Sequence, residues 1–583
     1  MTTDAPRPFQ EHRRISWQTF ISEKLRMIRQ PHHSHRQAYR SSGRPRGPRG
    51  PRGDASESTT QTLDPLPDFD RSFITRNICI LGLVITWIAS IASIIAGSKI
   101  IAKSRSTGGV AISSSKATSF TQIGFPLLFD IGVAFSTECM GFIHTASLRW
   151  GRFREGCLEF NSNLRLCSVG SGPNGPFFNI VSMILLIMTY CASSQVFPLY
   201  ADMEFDLIDG HTVITYQHSP LYPGLVNGLA LTALGGGLLV LAFITTWSLA
   251  SMVGKIHTWS SNPLNNTFAA LHVTLAGRER NDVLDRTPGY SRRSQRQQLA
   301  QSSRIRIGKP GRLQRKQRSA LGSNLSILTI LIFVWILGLL TFVWAILVWH
   351  MGARGAANTK SFFEGAKGTA DMSMLLANSA YPSTTAGYFI SCTVQALYTI
   401  GLHLVELLVN FSRDEDVWRK AAPSSTKGSC KGARLRGDSI VAAISSWQTL
   451  LLFAFKPTVH WLFGLSMSFM EVGYDGKPWF GSVLSFRATP TFVLAGIWIL
   501  LSIFATVLAL MRPRGYQPAA WGRIPLLEKL VDDWGVPGEE ETTRLFWGDK
   551  GVQNGARKAG TSSNKDQIGN IQTSGLYCIP ESY

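Results

Sequence analysis

Long apolar runs alternate with polar, basic stretches along the chain. Eight runs, at about 77–98, 121–146, 177–198, 225–251, 324–349, 387–411, 439–467 and 489–511, are long enough to cross roughly 30 Å of hydrocarbon as helices. The fifth, "LSILTILIFVWILGLLTFVWAILVW", carries no acid or base, and the eighth, "TPTFVLAGIWILLSIFATVLALM", is nearly as apolar. The seventh is the weakest, because Lys456, Pro457 and His460 interrupt it. The pattern predicts an all-α, polytopic transmembrane helical bundle of about eight spans.

Positive flanks set the orientation. The amino-terminal segment is basic, residues 278–318 hold thirteen Lys and Arg against three acids, and Arg512 and Arg514 follow the last run. The connection "YADMEFDLIDGHTVITYQHSPLYPG" has four acids and no Lys or Arg. An eight-span count puts the basic segments inside and this connection outside, with both termini cytoplasmic. Residues 99–120, which hold Lys99, Lys103, Arg105 and Lys116, run against the rule. Five regions follow: a basic disordered cytosolic tail over 1–76, a membrane half over 77–253, a basic disordered cytosolic loop over 254–322, a second membrane half over 323–512 and a cytosolic tail over 513–583. Within the first, residues 11–30 have the pattern of a helix lying on an anionic membrane surface.

The spans are not uniformly apolar. In the second, Asp130, Ala134, Thr137, Gly141 and His144 step by four and three and stay within about 40° of one line, with Glu138 on its shoulder. Leu128, Ile131, Phe135, Phe142 and Ile143 form the opposite, lipid-facing side. The sixth span repeats this with Ser391, Gln395, Thr399, Glu406 and Asn410, and His403 at the edge. The seventh supplies the opposite charge, Lys456, followed by Pro457 and His460. Charge inside a bilayer turns inward and finds a partner or water, so Lys456 is expected to pair with Asp130, Glu138 or Glu406. Pro457 is expected to break its helix and free backbone groups. The polar stripe falls on the second span of each group of four, which suggests a parallel internal repeat.

Composition agrees with a membrane protein. Only 16% of the residues are charged, against about a quarter in an average soluble domain, yet the formal net charge is +21, so the basic residues are concentrated outside the spans. Such segments attract anionic lipid head groups. They lack the interleaved aromatics of a nucleic-acid platform, so the expected partners are the lipid bilayer and a small solute or ion. The polar segments hold no nucleotide, kinase or hydrolase motif and no His-x₃-His or Cys-x₂-Cys spacing, so no cofactor or metal is expected.

"HTASLRW" at 144–150, "CLEFNSNLRL" at 157–166 and the tail "LLEKLVDDWG…RLFWGDKG…AGTS…GLY" resemble a group of fungal multi-span integral membrane proteins with no assigned activity. The resemblance runs from the second span to the tail. It implies a membrane topology, transfers no functional residue, and suggests that the connection after span two pairs with the tail, through contacts such as Glu159 with Arg165 or Arg154 with Asp532. The expected function is that of a transporter or channel-like protein with a polar path lined by Asp130, Glu138, His144, Gln395, His403, Glu406, Lys456 and His460. The alternative is a non-catalytic receptor or scaffold presenting basic cytosolic segments, and an intramembrane enzyme is a third reading.

Overall fold

The structure, a computed structural model, describes residues 69–578 apart from 108–118, 164–168, 171, 198–201, 209–210, 218–225, 285–309, 354–370, 378–379, 423–430, 436–445, 475–476, 535–543 and 554–555. The chain divides into two units, Met1–Pro65 and Leu66–Tyr583, and all described residues belong to the second. The surface helix expected at 11–30 lies outside them, as does the centre of the basic loop.

Helices dominate. The first half contains α1 (Phe73–Thr107), α2 (Ser119–Arg154), α3 (Pro176–Gln195) and α4 (Gly228–Ser251). A linking helix, α5 (Pro263–Leu284), leads to α6 (Ser326–Ala353), α7 (Ala380–Arg419), α8 (Trp447–Ser466) and α9 (Ala488–Leu510) of the second half. All of these except α5 and α8 are long and apolar enough to cross a membrane, seven in number. Their outward faces keep large apolar side chains exposed, such as Ile88 on α1 and Leu339 on α6, at 64% and 62%. Continuous apolar surface of that kind has no place in water, and the chain is a multi-pass integral membrane protein. Pro457 does not break α8, which runs on through it. A proline removes one backbone hydrogen bond, and packed neighbours let a membrane helix tolerate that loss.

The two halves pack in the same order. In the first, α4 lies against α1 and α3, and α2 against α1; in the second, α9 lies against α6 and α8, and α7 against α6 and α8. Hydrogen bonds repeat with the helices. Trp87 Nε1 of α1 donates to Thr246 Oγ1 of α4 at 3.1 Å, and Trp335 Nε1 of α6 donates to Thr506 Oγ1 of α9 at 3.0 Å. The Trp150 indole at the end of α2 donates to the Thr258 carbonyl just beyond α4, and the Trp418 indole at the end of α7 donates to the Pro518 carbonyl just beyond α9.

Contacts between the halves are reciprocal. Helix α2 packs on α8 and α7 packs on α3, while α3 and α8 cross between them. At the crossing the Tyr190 ring stacks on His460, with centroids 3.9 Å and planes 11° apart. One turn further, Gly464 of α8 abuts the Ser194 backbone of α3. This is the pattern of an approximate two-fold axis through the α3–α8 crossing. The ends of α2, α4, α7 and α9 gather on one face, where the Asn161 N–H donates to the Gly522 carbonyl and Asn161 Nδ2 to Asp414 Oδ2, both at 2.9 Å. The halves therefore run in the same direction, as a parallel repeat does.

The bundle is not purely α. A hairpin of β1 (Asp202–Ile208) and β2 (His211–Gln217) joins α3 to α4. At the same point of the second half, β6 (Met467–Tyr474) and β7 (Lys477–Arg487) join α8 to α9, and β7 also pairs with β4 (Asp371–Ala377).

The opposite face carries a small folded layer where the sequence reads as loop and tail. Helix α5 and helix α10 (Ile524–Leu530) pack together. Strands β3 (Pro310–Gly311), β5 (Ala433–Arg434), β8 (Arg544–Gln553), β9 (Ala556–Ser562) and β10 (Tyr577–Cys578) form one sheet in the order β3-β10-β9-β8-β5. Leu264, Trp418, Leu527, Leu545 and Trp547 share its apolar core. The reading of 254–322 as disordered thus fails over α5 and near β3, because Leu264 and its neighbours bury apolar surface against the tail. The expected pairing of the connection after α2 with the tail takes a different form: Glu159 pairs with Arg523 at 2.9 Å, and Asp532 with Lys558 at 2.8 Å and Lys550 at 3.1 Å, not with Arg154. Arg165 is outside the described residues.

Two outcomes follow from this packing. A Cβ at Gly464 would collide with the Ser194 backbone, which cannot rotate away, so Gly464→Ala should destabilise the protein by about 1–3 kcal/mol in detergent melts, whereas Gly496→Ala, where a Cβ meets open space, should not. Burial alone would raise the Asp532 carboxyl, but the Lys558 hydrogen bond, the charges of Lys550 and Lys558 and the Thr561 amide outweigh it and hold it below the usual carboxylate range. A lowered pKa stabilises the fold above the unfolded value and is lost as pH falls. The tail should loosen below about pH 4, and Asp532→Asn should lose about 1–2 kcal/mol at pH 7 and flatten that dependence, as read by limited proteolysis across pH.

Candidate functional site

The bilayer-depth polar side chains converge beside the α3–α8 crossing. The Lys456 side chain is 4% exposed and lies between two carboxylates. It donates to Glu138 Oε1 of α2 and, at 3.0 Å, to Glu406 Oε2 of α7. The same Glu406 oxygen is 2.9 Å from His403 Nδ1, one turn back on α7. Gln395 Nε2 meets His460 Nδ1, whose ring is the one stacked on Tyr190, and Tyr190 OH shares a 2.7 Å hydrogen bond with Thr137 Oγ1 of α2.

Local sequence explains the placement. Glu138 and Glu406 each stand twelve residues before a buried tryptophan, Trp150 and Trp418, and those tryptophans anchor α2 and α7 at equivalent places. The two acids thus hold corresponding positions in the two halves. Lys456 has no counterpart, since the matching stretch of α3, "SMILLIMTY", carries no charge. One lysine near the axis therefore serves two equivalent carboxylates.

Six of the eight predicted path residues belong to this assembly: Glu138, Gln395, His403, Glu406, Lys456 and His460. Asp130 and His144 do not. Asp130 is buried beside Ser193 of α3, two turns from Glu138. His144 lines a separate void of about 20 Å³ with Thr137, Ser182 and Thr245, room for about one water. Both residues share the polar stripe of α2, and the stripe is indeed buried. Helix periodicity gives a face, though, and not the partner at each level. Ile143, read as lipid-facing, is fully buried, because α2 is enclosed on more than one side. Tyr190 was missed altogether. Its aromatic ring reads as ordinary span composition, and nothing in α3 marks it as the stacking partner of a histidine. No group of acids, histidines and cysteines suited to a metal ion occurs among the described residues.

The electrostatics are unequal. Lysine is sealed, while Glu138 and Glu406 keep 32% and 30% of their side chains accessible. The assembly holds two carboxylates and one ammonium, a formal excess of one negative charge. Compared with known protein families, curated proteins and solved structures, the chain matches none.

Removing one partner of a buried ion group leaves uncompensated charge. Lys456→Met should lower stability by about 2–4 kcal/mol, less than for a wholly enclosed pair because the carboxylates are only partly buried. Adding Glu138→Gln and Glu406→Gln to that variant should restore most of the loss, and detergent melts of the single and triple variants measure this.

Proposed function

We propose that the chain is a transporter-class membrane protein of two parallel four-helix repeats, with the Glu138–Lys456–Glu406 bridge as its ion-responsive element. The observation that carries this reading is the shared lysine. Two carboxylates at corresponding positions share one cation, and each keeps about a third of its side chain accessible, 32% and 30%, while the lysine is sealed. Protonating either acid frees Lys456 to bind the other alone. The bridge therefore has two alternative pairings, one favouring each half, and helices α2 and α7 are tied to whichever is adopted. A two-state element biased by an ion is what alternating access requires.

In this reading α8 is the eighth crossing. It is 20 residues long, like α3, to which it corresponds, and it is enclosed by α2, α3, α7 and α9. Its charge and proline are tolerated because it faces protein. Eight crossings bring both termini to the cytosolic side, with the sheet and α10 there and the hairpins outside, in accord with the basic flanks. The scaffold reading needs a tail free to be presented, and the burial of Leu545, Trp547 and Tyr577 speaks against it.

The test is flux. Protein in liposomes should dissipate an imposed proton, Na⁺ or K⁺ gradient; Glu138→Gln and Glu406→Gln should each reduce the rate at least tenfold, a change of about 1.4 kcal/mol, while the protein still assembles. Liposomes that hold all three gradients as tightly as protein-free ones would refute the ion-responsive reading. Labelling of a tag at Tyr583 only after permeabilisation checks the topology.

A further inference from the structure

A second polar site lies away from the bridge, where α7 and α9 end on the face that carries the sheet. A cavity of about 600 Å³ opens there between Ser412, Glu415 and Arg419 of α7, the segment Met511–Arg514 after α9, Lys316 and Trp521. Four cations, Lys316, Arg419, Arg512 and Arg514, line it against two acids, Glu415 and Asp416, a formal excess of two positive charges.

The acids are already used. Glu415 Oε1 accepts from Arg419 Nε at 2.6 Å, and Oε2 accepts from the Ala520 and Trp521 amides at 2.8 Å. Asp416 accepts from Gln448 at 2.6 Å. Arg419 also donates from Nη1 to the Gln517 carbonyl at 2.6 Å, which leaves its Nη2. No ion pair of Lys316, Arg512 or Arg514 is found among the described residues, although the strand-like bridge between Lys316 and Arg514 holds their backbones together. Arg419 Nη2 and Ser412 Oγ are buried and lack a hydrogen-bond partner among the described residues. A buried guanidinium N–H and a buried hydroxyl left without partners cost free energy, and both belong to residues in the wall of the same basic cavity.

We propose that this cavity binds a phosphate group, with Arg419 Nη2 and Ser412 Oγ donating to its oxygens and Lys316, Arg512 and Arg514 neutralising its charge. Guanidinium forks fit phosphate geometry and form strong charge-assisted hydrogen bonds to it. The position favours a lipid phosphate over a free one. Met511 lines the cavity and is 41% exposed, and it continues the outward apolar face of α9 through Val507 and Leu510, at 50% and 52%. A phospholipid with its acyl chains along α9 would bring its head group to the cavity mouth. Basic pockets at the ends of membrane helices bind anionic head groups in this way.

Calorimetry on the full-length protein in detergent tests the assignment, with dihexanoyl phosphatidic acid, dihexanoyl phosphatidylcholine and inorganic phosphate as titrants. Phosphatidic acid, an anionic phosphomonoester, should bind at one site per chain, and the choline lipid, whose phosphate charge is offset by its own ammonium, should bind much more weakly. The double variant Arg512→Gln/Arg514→Gln, whose side chains are exposed and outside the packed core, should melt like the parent and bind about tenfold more weakly or worse. Ser412→Ala should weaken binding less. Inorganic phosphate binding as tightly as phosphatidic acid supports the site and assigns it to a soluble phosphate; a need for acyl chains assigns it to lipid. Equal binding of the two lipids, or parent-like binding by the double variant, overturns the proposal. Neither readout depends on ion flux, so the bridge and the cavity stand or fall separately.

Discussion

The arrangement depends on a lysine that has no water to charge itself against. Desolvating an ammonium at bilayer depth costs several kcal/mol, and only close carboxylates offset it. Lys456 draws Glu138 from one half and Glu406 from the other, so the same interaction that makes the lysine tolerable joins α2 and α7 through α8. Neighbouring contacts serve that geometry. The stacked Tyr190–His460 pair and the Gly464–Ser194 approach let α3 and α8 come close enough for Lys456 to reach both acids.

The repeat explains why the bridge is symmetrical in position and asymmetrical in chemistry. Corresponding contacts are made by unlike residues: Asp130 lies beside Ser193 in the first half, while Tyr398 packs on Phe463, 5.6 Å between ring centroids, in the second. On the sheet-bearing face, Arg149 donates to the Ser260 carbonyl at 2.9 Å, whereas Glu415 accepts from the Ala520 amide. Both tie a helix end to the segment beyond the fourth helix of its own half, with the direction of donation reversed. Geometry is kept while identity drifts, because a packing site needs volume and a satisfied polar group but not one particular side chain. The basic cavity belongs to the second half alone, since Arg419 ends α7, Arg512 and Arg514 follow α9, and Lys316 precedes α6.

Much of the architecture was legible. Each of the eight apolar runs contains a helix among the described residues, and Lys456 with two of the three acids offered to it forms the bridge. Legibility failed where burial is set by elements distant in sequence. Leu264, Trp418 and Trp547 look like scattered apolar residues in polar stretches until the tail folds over them. Pro457 carries a strong local signal for a break, and the enclosed position of α8 overrides it.

By itself, the sequence determined which segments are apolar enough for lipid, which face of each span is polar, and where positive charge lies. Those properties come from composition and helical period, which are local. Only the tertiary structure decided which acids meet the lysine, that Asp130 and His144 stand apart, that the halves repeat one packing plan, and that unpaired donors collect around a cavity. Each of these depends on how far apart whole helices sit and how they are turned. A charge feels a partner over a few ångströms, and nothing in the linear order of residues specifies that distance.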